Sequence, residues 1–287
     1  CTMCGHFAGR SPNSPGDAER QIAQFDQAFA QVDWSGFPIL CLYNGGSLLN
    51  PEELPEKALA HILARIAAEP GITEVVVETR AQYVNEARLS ALTQGLAGRR
   101  LTVAMGLESA SEEVRRLSVH KGFSLNGFTK ACQVVRRFGR LRLYVLIKPP
   151  WLTEREMIED AVAAIRLAHE LSADDVHFEP LTIQRHTLLN LLWRQGKYRL
   201  PWLWSVIEVL KRVSPQMVYV SPFAHFPRPI AIPHNCGRCD DAILRLLLGD
   251  YNTRGDLQAL RELRCSCQDD WREELAENDP RPLVQRV

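Results

Sequence analysis

Residues 101–147, LTVAMGLESASEEVRRLSVHKGFSLNGFTKACQVVRRFGRLRLYVLI, decide the fold. Leu101–Leu107 and Leu141–Ile147 are short apolar runs, and Leu125–Phe138 between them repeats its apolar residues at the i, i+3, i+4 spacing of a helix with one buried face. Strand, helix, strand in that order is a βαβ unit, whose two strands lie parallel. The alternation continues in both directions. Strands are expected at Pro38–Tyr43, Glu74–Glu78, Asp175–Glu179 and Met217–Ser221. Helices are expected near Asp17–Val32, Pro51–Ala68, Asn85–Leu96, Glu154–Leu171 and Trp202–Val213. Counting a further strand expected before Cys1, seven units suggest an α/β fold: a partial or nearly closed (β/α) barrel over residues 1–222. A small cysteine-rich, metal-binding extension is expected over 223–287.

Composition narrows the function classes. Lys+Arg and Asp+Glu are both 34, so net charge gives no reason to expect broad nucleic-acid binding, although a local basic patch is compatible with it. No apolar run approaches the roughly 20 residues of a membrane span, and no signal-peptide pattern is present. The expected location is the cytoplasm, where eight cysteines read as metal ligands rather than disulfides.

Polar residues follow successive strands: Asn44-Gly45-Gly46-Ser47, Glu78-Thr79-Arg80, Glu108-Ser109, Lys148-Pro149-Pro150 and Glu179-Pro180. In a parallel barrel these strand ends converge on one mouth, where active sites sit. Each has a plainer reading. Gly45-Gly46 suits a turn, Ser109 or Ser111 a helix cap, Lys148 a solvated loop, and His120–Phe123 a connection between helices, its alternative being a border of the substrate pocket. Cys41 and Cys132 lie in apolar stretches and are expected to be small buried residues. His177 and Glu179 share one strand face and are candidates for substrate contact or proton transfer.

Two cysteine groups stand apart. Cys1-Thr2-Met3-Cys4 is a C-x2-C pair that suits half a zinc site, a redox pair, a disulfide or part of an iron–sulfur motif. Cys236-Gly237-Arg238-Cys239 with Cys265-Ser266-Cys267 offers four soft ligands in two segments, the expected ligands of a structural Zn2+. An auxiliary [4Fe-4S] cluster is the alternative, as is His234 in place of one thiolate. Helices at Asp240–Leu248 and Gly255–Leu263 would be pinned together by the site. Trp193, Trp202 and Trp204, with Arg194, Lys197 and Arg199, either wall a substrate or anchor the next helix in the core; the second is favoured.

In order, CTMCGH, GGSLLNPEELP, GLESASEEVRRLSVHKGF, IKPPWLTEREMIED, TLLNLLWRQGKYRLPWLW and PHNCGRCD resemble the radical S-adenosylmethionine (SAM) enzymes, in particular the archaeosine-synthase subfamily, which is similar to the radical-SAM domain of the elongator catalytic subunit. The resemblance spans nearly the whole chain. It implies that Cys1 and Cys4 are the second and third ligands of a [4Fe-4S] cluster, the first lying upstream of residue 1. It implies that Gly45, Gly46 and Ser47 receive the SAM amino group. Glu78 and Arg80 would lie toward its ribose and carboxylate, with Glu108, Ser109 and Lys148 completing the rim. The implied reaction is hydrogen abstraction by a 5′-deoxyadenosyl radical from a lysine-bearing deazaguanine in tRNA, fed by an external one-electron donor and assisted by a partner tRNA-modifying enzyme. A small-molecule substrate is the alternative, and a zinc-containing RNA- or protein-binding barrel without cluster activity the second.

Overall fold

The apolar runs become the strands of one parallel sheet, because their outward residues find helices to cover them. The computed structural model describes residues 1–6, 17–213, 218–223 and 227–287. Six strands, β1 (Ile39–Leu42), β2 (Glu74–Glu78), β3 (Arg100–Glu108), β4 (Arg140–Ile147), β5 (Asp175–Pro180) and β6 (Val218–Val220), pair in chain order, all parallel, as a half-barrel. Among the described residues β1 and β6 are each paired on one side. The expected first residue of the last strand, Met217, lies outside the described residues.

Helices α1 (Ala18–Phe29), α2 (Glu56–Ala67), α3 (Glu86–Gly95), α4 (Leu125–Arg136), α5 (Glu154–Glu170), α6 (Leu188–Arg194) and α7 (Leu203–Arg212) accompany the strands. Val75, Val77, Val103, Met105, Leu143, Val145, Val176 and Phe178 point outward into one core with Ile66, Leu92, Phe128, Val135, Ile165 and Val206. Each such side chain contributes about 1.5–3 kcal/mol by leaving water. Helix α5 starts sharply because Thr153 and Glu156 form a reciprocal capping box.

The chain after β6 forms α8 (Asp240–Arg245), a π-helical stretch (Leu246–Tyr251), α9 (Asn252–Arg254), α10 (Gln258–Glu262) and α11 (Cys267–Ala276). Ile243, Leu247, Tyr251 and Leu260 continue the core behind the sheet. The last residues return to the rim. Leu283 enters a second apolar cluster with Met3, Val119, Leu146, Leu189 and Tyr198. Arg286, 8% exposed, holds it there by donating to both oxygens of Glu156, at 2.7 and 2.9 Å. No helix among the described residues is long and apolar enough to cross a membrane.

Cys132 is buried as expected, but Cys41 is exposed. Strand β1 is a sheet edge with alternate exposed positions, so its apolar sequence leaves Cys41 on an uncovered face.

Candidate functional site

The concave wall of the half-barrel is built by alternation. Outward Leu141, Leu143 and Val145 on β4 leave Arg142 and Tyr144 facing inward, and the register places Tyr144 opposite His177 and His177 opposite Tyr219. The three rings form a row, with centroid separations of 6.0 and 5.6 Å. Below it, Arg142 donates to Asp175 at 2.5 Å. Above it lie three carboxylates: Glu78 on β2, Glu108 on β3 and Glu179 on β5.

Each carboxylate has a different partner. The Tyr144 hydroxyl donates to Glu78 at 2.8 Å. Lys121 lies 2.5 Å from Glu108 and also donates to the Gly106 carbonyl at 3.0 Å. Ser221 donates to Glu179. Burial, reinforced by the Glu108 charge, raises Glu78 against the opposing Tyr144 hydrogen bond and the Lys121 and Arg142 charges. Burial pushes Glu179 up to about 7, with Glu108 and Glu78 adding repulsion and the Ser221 hydrogen bond and Arg142 opposing. Burial followed by Arg142 lowers His177 to about 4, against the pull of Asp175. At neutral pH the wall therefore holds a neutral imidazole beside a carboxyl poised to gain or lose a proton.

Backbone conformation marks the same strand ends. Glu108 and Lys148 adopt φ of +68° and +62°, and Gly45 +66°. Such values are uncommon in residues with a Cβ and concentrate where surrounding structure enforces a geometry.

The Cys1–Cys4 segment lies across this mouth. Thr2 donates through its backbone to Val119 (3.1 Å) and through its hydroxyl to the Ser118 carbonyl (2.8 Å), and its own carbonyl accepts from Leu189 at 3.0 Å. The Gly5 amide donates to the Gln184 side chain at 2.6 Å, and a Cβ there would stand 2.8 Å from that oxygen. Cys1 is exposed and Cys4 half-buried, both free thiols. A Cβ on Gly45 would lie 3.7 Å from the His6 side chain, so the cysteine segment and the glycine turn meet. In that turn the Asn44 side-chain nitrogen is buried without a hydrogen-bond partner, while its oxygen accepts from Gly46 at 3.2 Å.

The remaining strand-end residues serve as braces. Ser47, fully buried, accepts from the backbone and side chain of Arg80, both at 3.1 Å, and Arg80 reaches Glu53 at 3.1 Å. Ser109 donates to Asp160 on α5 at 2.6 Å and accepts from the Ser111 amide, while Ser111 is the capping serine, accepting from Val114 at 3.3 Å. Lys148, expected on the rim, is 4% exposed and held between Glu154 and Glu274. Sequence reasoning passes over Arg142 and Tyr144, and names Lys121 only within the His120–Phe123 segment. Their signal was available for β4, where Arg140, Arg142 and Tyr144 alternate with apolar residues.

The second cysteine group closes fully. The sulfurs of the free cysteines Cys236, Cys239, Cys265 and Cys267 all lie within 4.8 Å of one another, Cys236–Cys239 at 4.0, Cys236–Cys265 at 3.6 and Cys239–Cys267 at 3.7 Å. Metal–sulfur bonds of about 2.3 Å give a tetrahedron with edges of roughly 3.8 Å, so the four thiols fit one ion. His234 stays outside this set, its Nδ1 against the Asn235 carbonyl. The Trp204 indole donates to Cys267 at 3.2 Å and the Asn235 amide to Cys239 at 3.4 Å. The Asn235 oxygen accepts from Leu203 at 2.8 Å, tying the site to the start of α7. Trp202 is 7% and Trp204 3% exposed, the anchoring role favoured from sequence.

No family model matches the chain. The structure is similar to that of archaeal Methanocaldococcus infernus Elp3 with an N-terminal deletion, with a TM-score of 0.58 and 18% identity over 85% of this chain and 60% of that one, a likeness of fold. Among curated proteins, archaeosine synthase subunit beta of Thermococcus kodakarensis is 29% identical over 97% of this chain and 86% of its own. The protein of the same name from Methanosarcina acetivorans is 30% identical over 97% of this chain and 81% of its own. A match of that extent places the chain in a family: it belongs to the archaeosine synthase subunit beta family.

Proposed function

We propose that the chain is a radical SAM enzyme of tRNA modification, acting in the cytoplasm on a lysine-bearing deazaguanine. The observation that carries this reading is the meeting of the Cys1–Cys4 segment, the Gly45 turn and the carboxylate-lined wall at the strand ends of one parallel half-barrel.

Residues at the mouth fit the cofactors. Cys1 and Cys4 would supply two thiolates of a [4Fe-4S] cluster; both are free, Cys1 exposed and Cys4 half-buried. The unpartnered Asn44 nitrogen and the backbone around Gly45 and Gly46 would receive SAM, where the φ of +66° at position 45 favours glycine. When bound, the cluster and SAM would supply one-electron chemistry, an external donor's electron allowing SAM to split into methionine and a hydrogen-abstracting 5′-deoxyadenosyl radical.

The chain's own residues bind, orient and move protons. Glu78 and Glu108 border the SAM side, with Ser47 and Arg80 bracing the glycine turn and Ser109 and Lys148 fixing the ends of β3 and β4. Three carboxylates on one wall suit a cationic amine such as a lysine ammonium, and Glu179 exchanges the proton of that group at neutral pH. His177 stays uncharged and orients a polar edge of the substrate.

The 223–287 extension binds Zn2+ as a structural brace. Its sulfur separations suit a single ion, whereas a cubane seats each thiolate on a different iron and spreads them farther apart. Both relatives are named as subunits, which supports a partner enzyme of tRNA modification. Iron, sulfide and zinc analysis of anaerobically prepared protein tests the assignment: four irons and sulfides with one zinc per chain are expected. Zinc alone after reconstitution of the complete polypeptide sinks the cluster reading.

A further inference from the structure

Around the cysteine segment, the surface has the opposite charge from the wall beneath it. No Asp or Glu occurs between Glu113 and Glu154, or between Pro180 and Glu208, although the whole chain is neutral. Both acid-free stretches reach the mouth at the same place. The first reaches Thr2 through Ser118 and Val119, and the second through Leu189, while the space beside Gly5 abuts the Arg185 carbonyl.

From these stretches Arg116, Arg185, Arg194 and Lys197 are exposed, and none has an ion-pair partner among the described residues. Several other arginines of the same two stretches differ. Arg136, Arg137 and Arg142 are each paired with a carboxylate, as is Arg199. Between Arg185 and Arg194, helix α6 adds apolar surface, with Leu188 and Leu191 41% and 50% exposed while Leu189, Asn190 and Leu192 are buried.

We propose that this rim is a phosphate-backbone track: Arg116, Arg185, Arg194 and Lys197 hold a nucleic acid across the cysteine segment, with Leu188 and Leu191 against an unstacked base or its sugar. The proposal rests on the reading of the chain as a tRNA-modifying enzyme and assigns the surface that reading leaves open. Four exposed cations without carboxylate partners, on stretches that meet the cysteine segment, gain little from the protein itself and attract a polyanion. Glu78, Glu108 and Glu179 repel phosphate from the wall. The backbone therefore stays at the rim while a single nucleotide, turned out of its stack, reaches the interior.

Salt-dependent binding of unfractionated tRNA tests the track. For the full-length protein, the expected result is a log affinity falling steeply with log salt. Arg185→Glu/Arg194→Glu/Lys197→Glu should flatten the slope by about 2–3 and weaken low-salt binding at least tenfold. Lys130→Glu, at an exposed site midway along α4, should match wild type. Wild-type slope and affinity in a triple variant with native circular dichroism overturn the track. Acetylation of Lys197 in unmodified protein gives a reading independent of any variant: tRNA should protect it, and absent protection overturns the proposal. Equal, rim-dependent binding of poly-L-glutamate overturns nucleic acid as the occupant. Failure of the underlying reading looks different. Rim-dependent tRNA binding in a protein that forms no 5′-deoxyadenosine removes the radical chemistry and leaves the track, whereas 5′-deoxyadenosine formation without rim-dependent binding does the reverse.

Discussion

Lys121 lies 2.5 Å from the Glu108 carboxylate, in space that exists because residue 106 has no side chain. A Cβ on Gly106 would stand 2.0 Å from the Glu108 oxygen and 2.3 Å from the Lys121 nitrogen. Glycine within a strand usually weakens it, and here it admits a charged pair to the barrel mouth.

Gly106→Ala is therefore expected to shift the pair aside without breaking it, with little loss of stability, since the displaced atoms end flexible side chains. Lys121→Met leaves a largely buried carboxylate unpaired and should cost roughly 1–3 kcal/mol. Denaturant unfolding of both variants checks the order. Equal, negligible effects would show that the pair does not constrain Glu108.

Glu179 and His177 make opposing contributions to pH stability. Glu179 is raised to about 7, so its stabilising share is complete below about 4.5 and is lost as pH rises through 7. His177 is lowered to about 4, so its share is complete above about 6.5 and is lost as pH falls through 4. Between these values the two slopes oppose each other in the wild type. Glu179→Gln should expose the His177 slope, and its stability relative to wild type should improve between pH 5 and pH 8 by on the order of 3 kcal/mol. A constant difference between the two proteins across that range contradicts the assignment.

Much of the fold was legible because the outward faces of β2 to β5 are apolar runs separated by amphipathic helices. The glycine turn and the C-terminal cysteines were legible by spacing. Cys41 was misread because local composition does not tell an edge strand from a central one. The pairing of Lys121 is not legible, because its partner, Glu108, lies across a connection whose course no periodicity reveals. Lys148 could be placed at a strand end, but its carboxylates come from Glu154 and from Glu274, 126 residues away.

The four-cysteine site should act as a structural staple. Cys239→Ser removes a thiol that Asn235 contacts, and Asn235 also caps α7. Loss of the ion is expected to lower Tm by roughly 10 °C, at about 2–4 °C per kcal/mol for a chain of this size. Thermal unfolding with zinc analysis checks this. An unchanged Tm in metal-free protein would show that the site is not a brace.

The most direct measurement is 5′-deoxyadenosine formation from SAM by the reconstituted complete polypeptide under anaerobic reduction, with tRNA bearing the lysine-modified deazaguanine. Wild type should form 5′-deoxyadenosine in step with substrate turnover, and Cys4→Ala should form none. No 5′-deoxyadenosine from iron-replete wild type, or equal amounts from Cys4→Ala, would contradict the central claim that the Cys1–Cys4 segment holds a SAM-cleaving cluster.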